Sequence, residues 1–223
     1  MTSAPADASP STMQIAILLF ERVAALDAVG PYEVLSRLPG ATVTFVAQEP
    51  GPKRTDPGGL ALVADAALTE VSAPEVVLVP GGRGRRALME DGPVHEWLRA
   101  AHQRSTWTTS VCTGALILAA AGLLRGRRAT THWLAREELR AHGAVVDERR
   151  VEFDGKIATA AGVSAGIDLA LELAARIAGA HVAQAIQLGI EYDPSPPFDS
   201  GSPRRAPAEI VAAVRAHPAA RAG

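Results

Sequence analysis

The stretch Trp107-Thr108-Thr109-Ser110-Val111-Cys112-Thr113-Gly114, followed by Ala115-Leu116-Ile117-Leu118-Ala119-Ala120-Ala121-Gly122-Leu123-Leu124, decides the fold. Residues 107–111 are a β-rich run of strand length and residues 114–124 are helix-forming, with only Thr113 and Gly114 connecting Cys112 to the helix. A strand that turns this abruptly into a helix is a nucleophile elbow, which lifts one side chain clear of the edge of an α/β sheet.

Working outward, three further apolar runs have strand length: Gln14–Phe20 (QIAILLF), Thr42–Ala47 (TVTFVA) and Glu75–Val79 (EVVLV). Continuous apolar runs suit parallel strands covered on both faces. Helical patterns lie at Asp27–Leu38, Gly92–Arg104, Gly114–Leu124 and His132–His142. Strands alternating with helices of this length predict an α/β fold: a doubly wound, mostly parallel, flavodoxin-like sheet flanked by helices. Val151–Thr159 (VEFDGKIAT) adds a small β-hairpin turning at Asp154-Gly155. Helices are expected at Ser164–Ala178 and His181–Glu191, the second stopped by Asp193-Pro194-Ser195-Pro196-Pro197.

The chain divides into a leader at residues 1–12, a single α/β domain at 13–192 and a Pro/Ala/Arg-rich tail at 193–223, with one short helix near Ala208–Ala216. The leader has neither a basic start nor an apolar run, so it is no signal peptide. Met13, directly before the first strand, is an alternative start. A net charge of -2 carries no electrostatic footprint for nucleic acid and no polybasic membrane patch. No apolar stretch of about 18 residues is present to span a bilayer. The expected partner is therefore a small molecule or another protein. The single cysteine cannot form an internal disulfide, which points to the reducing cytoplasm.

Ligands of open α/β sheets bind beyond the carboxyl ends of the strands. The polar residues there are Asp27, Gly81-Gly82 and Cys112-Thr113-Gly114. A lone cysteine is by default a small buried hydrophobe. At an elbow beside a helix N-terminus, Cys112 is instead expected to be a nucleophile with a lowered pKa. Lowering a thiol from about 8.5 to about 5.5 raises the thiolate population roughly 30-fold at neutral pH, while reduced nucleophilicity removes about 20-fold. Such a shift mainly supplies a standing thiolate that needs no general base.

Asp27 is either a helix N-cap or an acid/base partner of Cys112. Glu33 is the rival carboxylate, but six residues is about 600° of helical rotation, so the two face different directions. Gly81 and Gly82 form either an ordinary turn or a pair of N–H donors for developing negative charge. Arg83, Arg85 and Arg86 read most simply as solvated surface; facing the pocket, they would favour an anionic or polar substrate. His132, with Trp133 beside it, is a possible pocket residue and could form a Cys-His pair with the thiol. His95, His102, His142, His181 and His217 lie within or near the ends of helical patterns, and no two fall in a metal-ligand pattern with Cys112, so no metal is expected.

The segments Leu26-Asp27 with Gly30-Pro31, Val79-Pro80-Gly81-Gly82, Ser110-Val111-Cys112-Thr113-Gly114 and Ala129-Thr130-Thr131-His132-Trp133 resemble the ThiJ/PfpI superfamily, with its class I glutamine amidotransferase-like fold. Within it, Ala87-Leu88-Met89-Glu90-Asp91, Ala165-Gly166-Ile167-Asp168, Glu191-Tyr192, Pro196-Pro197-Phe198 and Gly201-Ser202-Pro203 are most similar to the isonitrile hydratase family. Asp27, where many superfamily members carry glutamate, and Thr113, where many carry histidine, point the same way. The resemblance implies a lyase that adds water to an isocyanide to give an N-substituted formamide, without a cofactor, through a Cys112 thioimidate. It assigns Cys112 as nucleophile, Asp27 as general acid/base and Thr113 as a supporting residue, and it implies a homodimer. The Arg83, Arg85 and Arg86 loop and the turn Ala160-Ala161-Gly162-Val163-Ser164 depart from that pattern and bear on the substrate.

Two other readings compete. A ligand-sensing domain of the kind that precedes helix-turn-helix modules shares the Thr-Thr-His-Trp segment, but the 31 residues after Tyr192 are Pro-broken and too few for a DNA-binding module. A superfamily amidase, deglycase or peptidase would resemble its relatives in a Cys-His pair at the elbow, where Thr113 stands.

Overall fold

The computed structural model describes residues 12–56 and 58–217, so the leader falls almost wholly outside the described residues. In chain order the first half comprises β1 (Met13–Leu18), α1 (Ala25–Leu35), β2 (Ala41–Ala47), β3 (Gly51–Arg54), β4 (Ala61–Ala64), β5 (Ala66–Ala67), β6 (Val76–Val79) and α2 (Pro93–Arg104). There follow β7 (Trp107–Val111), α3 (Gly114–Ala120), β8 (Arg128–Ala129), α4 (Arg136–Ala141), β9 (Val145–Val146), β10 (Val151–Asp154) and β11 (Ile157–Ala160). The chain closes with α5 (Ala165–Ala178), α6 (Ala180–Gly189) and α7 (Ala208–Ala216).

Seven strands form one sheet in the order β10-β11-β7-β6-β1-β2-β5. All its pairings are parallel except β10 with β11. The doubly wound fold is thus present, and the apolar runs do what their composition demands. All four residues of β6 are buried, as are Ile15 to Leu18 of β1, because helices cover both faces. Helices α1, α5 and α6 pack together as one layer, and α2, α3 and α4 as another.

The expected hairpin is not a separate appendage. Its second strand, β11, pairs with β7, so the hairpin extends the main sheet. The turn residues are Gly155 and Lys156, one position later than expected, because Asp154 pairs with Ile157. The antiparallel pair β3–β4 and the short pair β8–β9 carry no strong apolar alternation and escape sequence reading.

The chain leaves β1 outward to β2 and β5, then returns to β6 on the other side of β1. Winding reverses there, and a crevice opens at the carboxyl ends of β1 and β6, next to β7. Asp27, Gly81 and Cys112 follow those three strands. The segment after Pro194 folds back on the body. Arg204 pairs with Glu148, and the Arg215 guanidinium of α7 lies 4.9 Å above the Trp133 ring.

Candidate active site

Cys112 occupies the elbow with φ 56°, a left-handed conformation rare for a residue with a Cβ. Three hydrogen bonds hold it there. Its N–H donates to the carbonyls of Ala160 and Ala161 at 3.1 and 2.8 Å, and its own carbonyl accepts the Thr131 hydroxyl at 2.8 Å. Strain of this kind persists only where surrounding bonds over-determine it.

Asp27 is completely buried in the first turn of α1. The N-cap of that helix is Ala24, so the capping reading is overturned: the Asp27 carboxyl reaches out of its helix instead. Its Oδ2 accepts the Gly81 N–H at 2.8 Å, and the carboxyl also meets the Cys112 thiol. Oδ1 is buried with no nitrogen or oxygen partner. Glu33 is exposed and paired with Arg37, which removes it from the site.

Gly81 makes this approach possible. A Cβ there would lie 2.5 Å from Thr113 Oγ1 and 3.0 Å from Asp27 Oδ2, too close for any side chain. The Gly82 N–H donates to Thr113 Oγ1 at 3.1 Å. Both amides expected as free donors are therefore engaged, one on Asp27 and one on Thr113.

The electrostatics reverse one sequence expectation. Burial raises the pKa of Cys112 far above that of an ordinary thiol, and the negative charge of Asp27 raises it further. The Thr113 N–H and hydroxyl pull the other way without prevailing. The expected standing thiolate is thus corrected to a protonated resting thiol. The helix dipole loses for two physical reasons: α3 is only 7 residues long, and Cys112 is only 6% exposed, so a bare thiolate would forfeit nearly all its hydration. Burial likewise pushes Asp27 up to about 7, against the opposing hydrogen bonds from Gly81 and Cys112.

A cavity of about 260 Å³ opens onto Cys112, with Thr113, Gly82 and His132 in its lining and Ala24, Leu134, Ala135 and Val163 as its apolar walls. Asp56 and Arg83 complete it; sequence reasoning missed Asp56, which follows no main-sheet strand. The His132 Nδ1 accepts the Leu134 N–H at 3.3 Å, leaving Nε2 as the donor nitrogen. Burial, then Arg136, holds this imidazole below its usual pKa. The groups acting on the thiol are Asp27 and Thr113, so the Cys-His pair is not formed. Trp133 lines an adjoining groove with Arg136 and Arg150.

The three arginines separate. Arg83 lines the cavity and Arg86 is exposed, whereas Arg85 is only 3% exposed and makes a bidentate pair with Glu138 at 2.8 and 2.7 Å. The solvated-surface reading fails for Arg85, whose bidentate pair anchors the 3₁₀ segment Arg83–Leu88 to α4. Among the described residues no group of three or more His, Cys, Asp or Glu could hold a metal ion. No helix among them is long and apolar enough to cross a membrane.

Comparison with known proteins supplies relatives for this arrangement. The DJ-1/PfpI family pattern matches residues 13–176. The chain is 44% identical over 203 residues to the isonitrile hydratase of Pseudomonas putida, covering 91% of this chain and 89% of that enzyme. It is 33% identical over 127 residues to the HTH-type transcriptional regulator CdhR of Pseudomonas aeruginosa, covering 56% of this chain and 38% of the regulator. The crystal structure of a ThiJ/PfpI family protein from Pseudomonas syringae superposes with a TM-score of 0.88 at 37% identity, covering 95% of this chain and 91% of that one.

Proposed function

The chain belongs to the DJ-1/PfpI family, and from that premise we propose that it hydrates isocyanides to N-substituted formamides, with Cys112 as nucleophile, Asp27 as proton carrier and Thr113 as support. One observation carries the reading: a fully buried carboxyl whose pKa is pushed up to about 7 lies against the thiol of a strained elbow cysteine. A carboxyl so poised both takes and gives protons at neutral pH. The 44% identity to the Pseudomonas putida enzyme over most of both chains supports the substrate class.

Isocyanides are nucleophilic and electrophilic at the same carbon, so proton and thiolate must arrive together. Ionised Asp27 takes the Cys112 proton as sulfur bonds to the terminal carbon and delivers that proton to the same carbon, giving the thioimidate R–N=CH–S–Cys112. Water then adds to this carbon, with Asp27 relaying its proton to the nitrogen. The C–S bond breaks, the sulfur regains a proton from the new hydroxyl through Asp27, and R–NH–CHO leaves. One isocyanide and one water give one formamide, and no cofactor enters the balance. The Gly81 N–H holds Asp27 in line for all three transfers, while Gly82 fixes Thr113. The expected homodimer rests on family likeness and cytoplasmic location on the free thiol.

Incubation with benzyl isocyanide tests the reading: N-benzylformamide accumulates with the intact protein and not with Cys112→Ala. Equal formation by both proteins contradicts it. The likeness to the regulator supports a second reading, ligand sensing at the same cavity. The same assay separates the two, since a sensor binds the isocyanide and releases it unchanged.

A further inference from the structure

Arg83 and Cys112 line the same cavity. The Arg83 Nε lies 3.2 Å from Asp56 Oδ2, and Asp56 is its one ion-pair partner among the described residues. The planar guanidinium fork has the geometry that matches a carboxylate. The backbone beneath is fixed as well. Arg85 is clamped to Glu138, and a Cβ on Gly84 would fall 1.6 Å from the Glu21 carbonyl oxygen, so this turn packs directly against the main chain. Asp56 opposes an incoming anion, but Arg22 lies 3.8 Å from the same carboxylate and offsets part of its charge. His132, facing the cavity, is held towards its neutral form.

We propose that the substrate of this site bears a carboxylate, received by the terminal nitrogens of Arg83, on a short chain whose other end presents the isocyanide carbon to Cys112. This inference rests on the hydratase reading and narrows its substrate class. The walls of Ala24, Leu134, Ala135 and Val163 cover the intervening carbons, and a volume of about 260 Å³ limits their number. A neutral isocyanide of the same size would strip water from the guanidinium without replacing it. A charge-assisted pair at a partly desolvated rim corresponds to about 10- to 100-fold in specificity.

The test compares isocyanoacetate with methyl isocyanoacetate at pH 7.5 for the intact protein, Arg83→Gln and Arg83→Lys, with matched thermal melts as the folding control. Calorimetry with N-formylglycine, the product of isocyanoacetate, provides a readout independent of turnover. The intact protein is expected to favour the carboxylate in kcat/KM. That preference falls at least 10-fold in Arg83→Gln and partly recovers in Arg83→Lys, and N-formylglycine binding disappears in Arg83→Gln. A preference for the ester, or a preference untouched by Arg83→Gln, overturns the proposal. If neither isocyanide is hydrated yet N-formylglycine binds through Arg83, the carboxylate subsite stands and the hydratase reading falls. Absence of both turnover and binding overturns both.

Discussion

The Gly81 N–H donates to Asp27 Oδ2 at 2.8 Å, fixing the one carboxyl that touches the Cys112 thiol. This bond joins the carboxyl ends of two adjacent strands. It also stabilises the ionised form of Asp27 in surroundings that otherwise disfavour charge.

Replacing Gly81 with alanine puts a methyl group into the space between Thr113 and Asp27. Gly81→Ala is expected to lower kcat at least about 10-fold, since displacement near 1 Å at reacting groups has effects of this order. KM for benzyl isocyanide changes less. A normal kcat would show that the position of Asp27 is not critical.

The reaction requires ionised Asp27 beside a protonated thiol. Below about pH 7 Asp27 carries its own proton and cannot take that of Cys112. The pair is coupled, so this lower inflection belongs to both groups. The expected kcat/KM rises through about pH 7 to an alkaline plateau, whereas a standing thiolate working with protonated Asp27 would lose rate over the same range. Asp27→Asn lowers the plateau at least about 100-fold and abolishes the inflection.

The same carboxyl costs stability. Its folded pKa of about 7 exceeds the ordinary 3.8, so the folded state holds this proton more tightly than the unfolded chain does. The penalty is absent below pH 4, develops as pH rises towards 7 and is complete above it, reaching about 4 kcal/mol. Asp27→Asn, which cannot ionise, is therefore expected to gain stability relative to the parent from pH 4 to 7, then hold that gain to pH 9. Denaturant melts across this range check the sign; a gap that narrows with rising pH contradicts it.

Thr113 accepts the Gly82 N–H and lowers the pKa of the thiol. Thr113→Val loses the acceptor for Gly82 and the hydroxyl's share of the effect on the thiol while keeping the backbone N–H share, and is expected to reduce turnover about 10-fold, whereas Thr113→Ser, which keeps the hydroxyl, stays near the parent rate. Equal loss in both variants would assign Thr113 to packing alone.

Much of this arrangement is legible in the sequence. The four strand-length runs became β1, β2, β6 and β7, with β6 and most of β1 apolar because both their faces are buried, and each candidate at a strand end arrived where the topology carries it. The protonation of Cys112 was not legible, because it depends on how deeply an elbow is buried. The engagement of the Gly81 and Gly82 amides follows from the reach of Asp27 and Thr113, which spacing does not encode. Asp56 was invisible because it sits in the loop joining a short antiparallel pair, β3 and β4, with weak sequence signals.

The central claim is that sulfur of Cys112 bonds to the isocyanide carbon. The most direct measurement is peptide mass spectrometry of the protein quenched in acid during turnover of benzyl isocyanide, with Asp27→Asn alongside as the variant that cannot take the thiol proton. The account requires the peptide containing Cys112 to gain the mass of one isocyanide in the intact protein, and to gain it far more slowly in Asp27→Asn. Formamide production with Cys112 unmodified throughout, and undiminished in Cys112→Ala, would contradict it.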